Sequence, residues 1–166
     1  MNCPSCGAPM RLKADSESFK CEYCQSIYLP EKNDDGVRVL DEPSGEDCPV
    51  CKTPLARAVL AKVSIAYCTQ CRGMLIPMPA LETLADELRG GPGSEATPSV
   101  PGKDELRRLI DCPQCHHRMD AHFYAGPGNV VIDSCEDCCL IWLDRGELMR
   151  IARAADSPSS SHSEWE

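Results

Sequence analysis

Cys112-Pro113-Gln114-Cys115 and Cys135-Glu136-Asp137-Cys138, with nineteen residues between them, decide how this chain folds. Two Cys-x-x-Cys pairs at that separation bring four thiolates together on a β-hairpin, as a tetrahedral structural zinc ion requires. The same layout occurs twice more, as Cys3/Cys6 with Cys21/Cys24 and as Cys48/Cys51 with Cys68/Cys71. The twelve cysteines are candidate ligands for three zinc ions per chain. Iron also uses Cys-x-x-Cys sites, and the scarcity of aromatic residues favours zinc. Cys139 is left over.

The pairs repeat with their surroundings. Asn2-Cys-Pro-Ser-Cys, Asp47-Cys-Pro-Val-Cys and Asp111-Cys-Pro-Gln-Cys each place proline between the cysteines, with Met10, Leu55 or Met119 four positions on. The second knuckles are each followed, at one shared offset, by an apolar triplet: Ile27-Tyr28-Leu29, Met74-Leu75-Ile76 and Ile141-Trp142-Leu143. Every proline-containing knuckle therefore joins the next apolar-tailed one. Proline pre-forms a tight turn whose later N–H groups reach sulfur. The triplets are expected to pack over the metal sites.

A 166-residue chain with two Phe, two Trp and four Tyr has little material for one large core. Modules of about 40 residues usually need a metal or disulfide to fold. No basic and apolar leader precedes Cys3 and no apolar run could span a bilayer, so a reducing cytoplasm and no membrane are expected. The net charge of −9 falls to about −15 if three four-thiolate sites each hold a dication. Glu31, Asp34, Asp35, Asp41, Glu42, Glu46 and Asp47 crowd one segment, whereas Lys52, Arg57, Lys62 and Arg72 sit in the middle unit. No basic face of the kind that grips phosphates stands out.

The fold class expected is small, metal-stabilised and β-rich. It comprises three tandem zinc ribbons, with short helices after the second and third. Residues 1–30 form ribbon 1, 31–46 an acidic linker, 47–89 ribbon 2 and its helix, and 90–103 a flexible linker. Residues 104–155 form ribbon 3 and its helix, and 156–166 a disordered tail. Val37–Leu40 could add a strand inside the acidic segment. Leu55, Val59, Ala61, Val63, Ile65 and Tyr67 alternate on one hairpin face. Asp15-Ser16-Glu17 and residues 125–129 read as turns. Pro79 opens a helix over Ala80–Arg89, and Asp144 with Glu147 forms a capping box leading into Leu148–Ala155. Residues 104–110 suit a turn or two of helix.

The third unit, from Asp111 through Cys-Glu-Asp-Cys-Cys-Leu-Ile-Trp-Leu-Asp-Arg-Gly-Glu-Leu at 135–148, resembles the transcription factor IIB-type zinc-ribbon family, especially its small bacterial members. The second unit resembles it in knuckles and trailing helix, with Met74-Leu-Ile-Pro-Met-Pro79 replacing the Trp-Leu-Asp segment. The first resembles only a generic ribbon. The family typically carries glycine where this chain has Cys139; the spacing and the repeat register select Cys138 as the ligand. The resemblance implies zinc-binding modules, and its name evokes transcription.

Closed four-thiolate sites leave no position for substrate. The expected function is thus a non-enzymatic protein-interaction or adaptor module with protein partners, three rigid knobs on tethers being suited to multivalent contact. The alternative is DNA or RNA binding through the middle ribbon, with Tyr67 as a stacking group. A reactive or metal-trafficking role would rest on Cys139, His116 and His117. The sequence does not indicate an oligomeric state.

Overall fold

A computed structural model describes residues 1–13, 17–89, 107–124 and 129–154. The expected linker at 90–103, the tail at 156–166, most of the turn at 125–129 and Asp15 and Ser16 lie outside the described residues. Among the described residues the architecture is β-rich, with two helices and two sheets.

Ribbon 1 is a three-stranded sheet of β1 (Met10–Leu12), β2 (Phe19–Cys21) and β3 (Ile27–Tyr28), in that order. The register sets Met10 opposite Cys21 and Phe19 opposite Tyr28. Met10 and Phe19 bury with Cys3 and Cys21 against Leu40 and Val59 from the next unit. The triplet Ile27-Tyr28-Leu29 departs from expectation. Only Tyr28 turns inward, while Ile27 is 67% and Leu29 54% exposed. Alternation along the strand puts those two on the far face, and among the described residues no helix of this ribbon covers it.

The second sheet has seven strands. They are β4 (Arg38–Asp47), β5 (Pro54–Leu60), β6 (Val63–Tyr67), β7 (Met74–Pro77), β8 (Asp120–Phe123), β9 (Val131–Cys135) and β10 (Leu140–Leu143). Their order is β4-β5-β6-β7-β10-β9-β8. Residues 31–46, expected as a linker, thus supply most of an edge strand, considerably longer than Val37–Leu40. Val37 and Leu40 anchor it in the interior. Its register on β5 shifts on either side of Pro43. Proline, carboxylates and irregular pairing are tolerated here because an outer strand has one edge free, and they discourage unwanted pairing.

The β5–β6 hairpin also corrects the sequence reading. Ala61 and Lys62 form a two-residue loop with φ of +44° and +67°, the signature of a type I′ turn. Leu60 therefore pairs with Val63, and Ala58 with Ile65. Ala58 and Leu60 join Ile65 and Tyr67 in one cluster, whereas Leu55 and Val59 belong to other clusters.

Ribbons 2 and 3 meet through β7 and β10, which pair antiparallel. Trp142 lies opposite Leu75, Ile141 opposite Ile76 and Leu143 opposite Met74. Leu75 and Trp142 hold the same place in the repeat, so the pairing is centred on equivalent residues. This is the isologous geometry of a two-fold dimer, written within one chain. Two of the three expected knobs are one body, because each ribbon's last strand would otherwise leave an apolar edge in water.

The trailing helices, α1 (Ala80–Leu88) and α2 (Glu147–Ala154), pack together on one face of this junction. Leu81, Leu84, Ala85, Leu148, Ile151 and Ala152 cover Met74, Ile76, Ile141 and Leu143. Pro79 caps α1 as expected. At α2 Asp144 and Glu147 meet as the capping box requires, the Asp144 N–H donating to Glu147 Oε2 at 2.7 Å. The Asp144 carboxylate accepts from Trp142 Nε1 at 3.1 Å and from Arg108. Of the segment 104–110, expected to form a turn or two of helix, residues 104–106 lie outside the described residues and 107–110 are not helical.

Candidate metal centres

Each knuckle is a turn that returns the chain on itself. In five of the six, the N–H after the second cysteine donates to the carbonyl of the first, from Gly7 to Cys3 at 2.8 Å through His116 to Cys112 at 2.9 Å. The turn needs a left-handed residue there. Gly7, Gln25, Lys52, Arg72, His116 and Cys139 have φ between +54° and +75°. Only glycine meets this without cost, which explains physically why glycine suits the place Cys139 occupies.

The turns gather the thiols into three sets: Cys3, Cys6, Cys21 and Cys24; Cys48, Cys51, Cys68 and Cys71; Cys112, Cys115, Cys135 and Cys138. Within each set all sulfurs lie within 4.8 Å of one another. Cys3 and Cys24 are 3.5 Å apart, Cys6 and Cys21 3.6 Å, Cys48 and Cys71 3.7 Å, and Cys115 and Cys135 3.6 Å. Zn–S bonds of about 2.3 Å in a tetrahedron demand sulfurs about 3.8 Å apart. A disulfide would need about 2.05 Å. The donor sets therefore fit zinc, one ion to each.

Burial and hydrogen bonding complete the fit. The first cysteine of every pair is buried and the second is partly or fully exposed. The Cys51 N–H points at Cys48 Sγ at 3.2 Å, and those of Cys24 and Cys71 reach Cys21 and Cys68 at 3.5 Å. Such donors favour thiolate. The Ser26 hydroxyl and backbone draw Cys24 down to about 6. Against burial, the Cys71 and Gln70 amides bring Cys68 to about 7, and the His117 amide does the same for Cys115. Cys6 is pushed up to about 12, since its neighbours' hydrogen bonds outweigh the pull of the Ala8 backbone. Burial pushes Cys71 and Cys138 upward too. Ligand thiols must give up their protons to bind a dication, and the groups drawn downward do so most readily.

Cys139 stays outside its set. It is exposed, and its thiol approaches the Glu136 carbonyl at 3.5 Å. His117 Nδ1 lies 3.1 Å from Asp137 Oδ2 and forms a small group with Cys115. Asp137 chiefly, then Cys115, raises the His117 pKa. His122 Nδ1 lies 3.1 Å from the Asp120 carbonyl oxygen.

Two of the centres share a core on the sheet face opposite the helices. Cys48, Cys68, Cys112 and Cys135 bury there with Leu75 and Trp142. Trp142 is fully buried, and its ring lies so close to Gly73 that a Cβ there would stand 2.3 Å from Cζ2. The sequence signal was small but legible: Gly73 stands in ribbon 2 where ribbon 3 has Leu140. The two proline knuckles face each other across a cleft of about 460 Å³, lined in like pairs by Asp47 and Asp111, Pro49 and Pro113, and Lys52 and His116.

The middle ribbon's candidate nucleic-acid groups are partly engaged elsewhere. Tyr67 is 2% exposed and donates to Asp35 at 2.6 Å. Arg72 forks onto the same carboxylate through two contacts of 2.6 Å. Despite burial, the Arg72 fork and the Tyr67 hydroxyl hold Asp35 below the usual carboxylate range. Among the described residues, Lys52, Arg57 and Lys62 are not brought into any such group. Asp133 pairs with Arg108 at 2.5 Å, yet its burial raises its pKa.

The fold and its thiolate centres define a zinc-binding ribbon protein. The family model described as transcription factor zinc-finger matches residues 47–87 and 111–154, together about half of the chain. The chain belongs to this transcription factor IIB-type zinc-ribbon family, whose members are generally not enzymes; ribbon 1 lies outside both matches. Comparisons with curated proteins and with solved structures gave no match. No helix among the described residues is long and apolar enough to cross a membrane.

Proposed function

We propose that this protein is a non-enzymatic adaptor that uses its zinc-held ribbons to contact protein partners in the cytoplasm, in a transcription-associated setting. The observation that carries this reading is the placement of the metal ligands. Twelve of the thirteen cysteines fill closed four-thiolate sets whose inner members belong to hydrophobic cores. Such sites hold shape and leave no position for a substrate. Each zinc contributes on the order of 10 kcal/mol to folding, reason enough for the ligands to be there.

The charge supports a protein partner over nucleic acid. The chain is acidic throughout its first linking strand, and Arg72 and Tyr67 are both committed to Asp35. Phosphate recognition needs free, clustered cations. The decisive test pairs two measurements on the zinc-loaded chain. Affinity purification with nuclease treatment should recover the same protein partners as without it. Fluorescence anisotropy with labelled single- and double-stranded DNA and RNA at low salt should stay flat. Binding at low salt that weakens steeply with added salt would replace this proposal with the nucleic-acid reading.

A further inference from the structure

Ribbons 2 and 3 solve a problem that ribbon 1 leaves open. In both, the strand after the second knuckle finds its partner in the equivalent strand of the other ribbon. In ribbon 1 that strand is β3, and among the described residues it stands at the edge of its sheet with only β2 beside it. The correspondence is residue by residue. Tyr28 occupies the place of Leu75 and Trp142, Ile27 that of Met74 and Ile141, and Leu29 that of Ile76 and Leu143. Pro30 even matches Pro77, which β7 accommodates opposite Leu140.

We propose that β3 pairs antiparallel with β3 of a second copy of this chain, giving a two-fold dimer centred on Tyr28. The register follows from the internal junction: Tyr28 opposite Tyr28, and Ile27 opposite Leu29 of the other copy. A second copy is the occupant because an isologous contact needs only one surface, used twice. The chain already demonstrates the geometry between its own ribbons.

Exposure agrees. Ile27, Leu29 and the knuckle residue Tyr23 are 67%, 54% and 83% exposed, and all three fall within one short stretch. Unpaired edge strands with apolar side chains are templates for strand addition. Beside Tyr28 an open cleft of about 380 Å³ is lined by Asn2 and Pro4, with Met1 and Glu42 of β4 completing it. Asn2 and Pro4 are the ribbon 1 counterparts of Asp47 and Pro49, which border the cleft between ribbons 2 and 3. Arg38 donates to the Pro30 carbonyl, so the usable edge is short. A small interface of this kind gives a weak dimer.

The experiment is sedimentation equilibrium of the zinc-loaded full chain from about 10 µM to 1 mM, the range in which weak interfaces associate. The mass should rise from that of the 18.2 kDa monomer toward twice that value. Ile27→Lys with Leu29→Lys sets like charges across the pair and should weaken association at least tenfold, with three zinc ions retained. Both side chains are exposed, so folding should survive. Phe123→Lys, on the exposed edge strand β8, should leave association unchanged. A chain that stays monomeric to 1 mM overturns the proposal. So does undiminished association of the double-lysine variant, or its loss in Phe123→Lys instead.

Discussion

Replacing Gly73 by alanine should uncouple the two ribbons of the large sheet. The new Cβ would lie 2.3 Å from Trp142 Cζ2, 2.9 Å from Cη2 and 3.0 Å from Cε2. Carbon atoms in favourable contact sit about 3.5–4.0 Å apart, so the overlap exceeds an ångström. The indole has little freedom to yield. It is wholly buried, and its Nε1 is tied to Asp144, which Arg108 holds in turn. Overpacking of this kind costs about 1–3 kcal/mol, and the close approach puts the expected loss near 3. Removing glycine would otherwise stabilise the folded chain by about 0.4–1 kcal/mol, so a net loss identifies the clash. Trp142→Leu, which installs the residue type ribbon 2 carries at the equivalent place, opens a cavity of its own. In that background Gly73→Ala should cost close to nothing, giving a coupling of about 2–3 kcal/mol. Urea unfolding followed by far-ultraviolet circular dichroism, with zinc and reductant present, measures all four variants. If Gly73→Ala unfolds within about 0.5 kcal/mol of the parent, or costs the same in the Trp142→Leu background, the account of the junction fails.

Metal analysis separates the adjacent thiols: Cys138→Ser should return about two zinc ions per chain and Cys139→Ser about three, because only Cys138 lies in its four-sulfur set. Equal losses from both would show that they share the metal. Tyr67 gives a pH prediction, since burial and Asp35 push its hydroxyl up to about 12. An unfolded phenol titrates near 10; the protonated folded form is therefore fully favoured below about pH 10, and its stability is lost as pH rises from there toward 12. Absorbance titration near 295 nm should show a last-titrating tyrosine that is missing in Tyr67→Phe. Lys62→Gly should stabilise the chain by about 1 kcal/mol in thermal unfolding, because Lys62 holds φ of +67° in a turn that favours glycine. A destabilised variant would show that the Lys62 side chain matters more than its backbone.

The sequence by itself determined the metal chemistry. Six Cys-x-x-Cys pairs form three local hairpin sites because the ligands of each site lie within 21 to 26 residues of one another, and knuckle turns need only one left-handed residue to close, with or without proline. The helix after Pro79 and the role of Glu147 were legible for the same reason, since caps and periodicity act over a few residues. What the sequence could not announce was assembly. That β4 is an edge strand depends on Val37 and Leu40 finding buried places far along the chain, while the acids around them read as linker. That Tyr67 is a buried hydroxyl and no stacking platform depends on Asp35 reaching it across the fold. The junction of β7 with β10 is the largest such gap. Its strands lie more than sixty residues apart, and nothing local distinguishes an apolar triplet that caps its own ribbon from one that pairs with a neighbour. Only the tertiary structure, by placing Trp142 on the bare backbone of Gly73, decided that two ribbons make one body and left the third with an open edge.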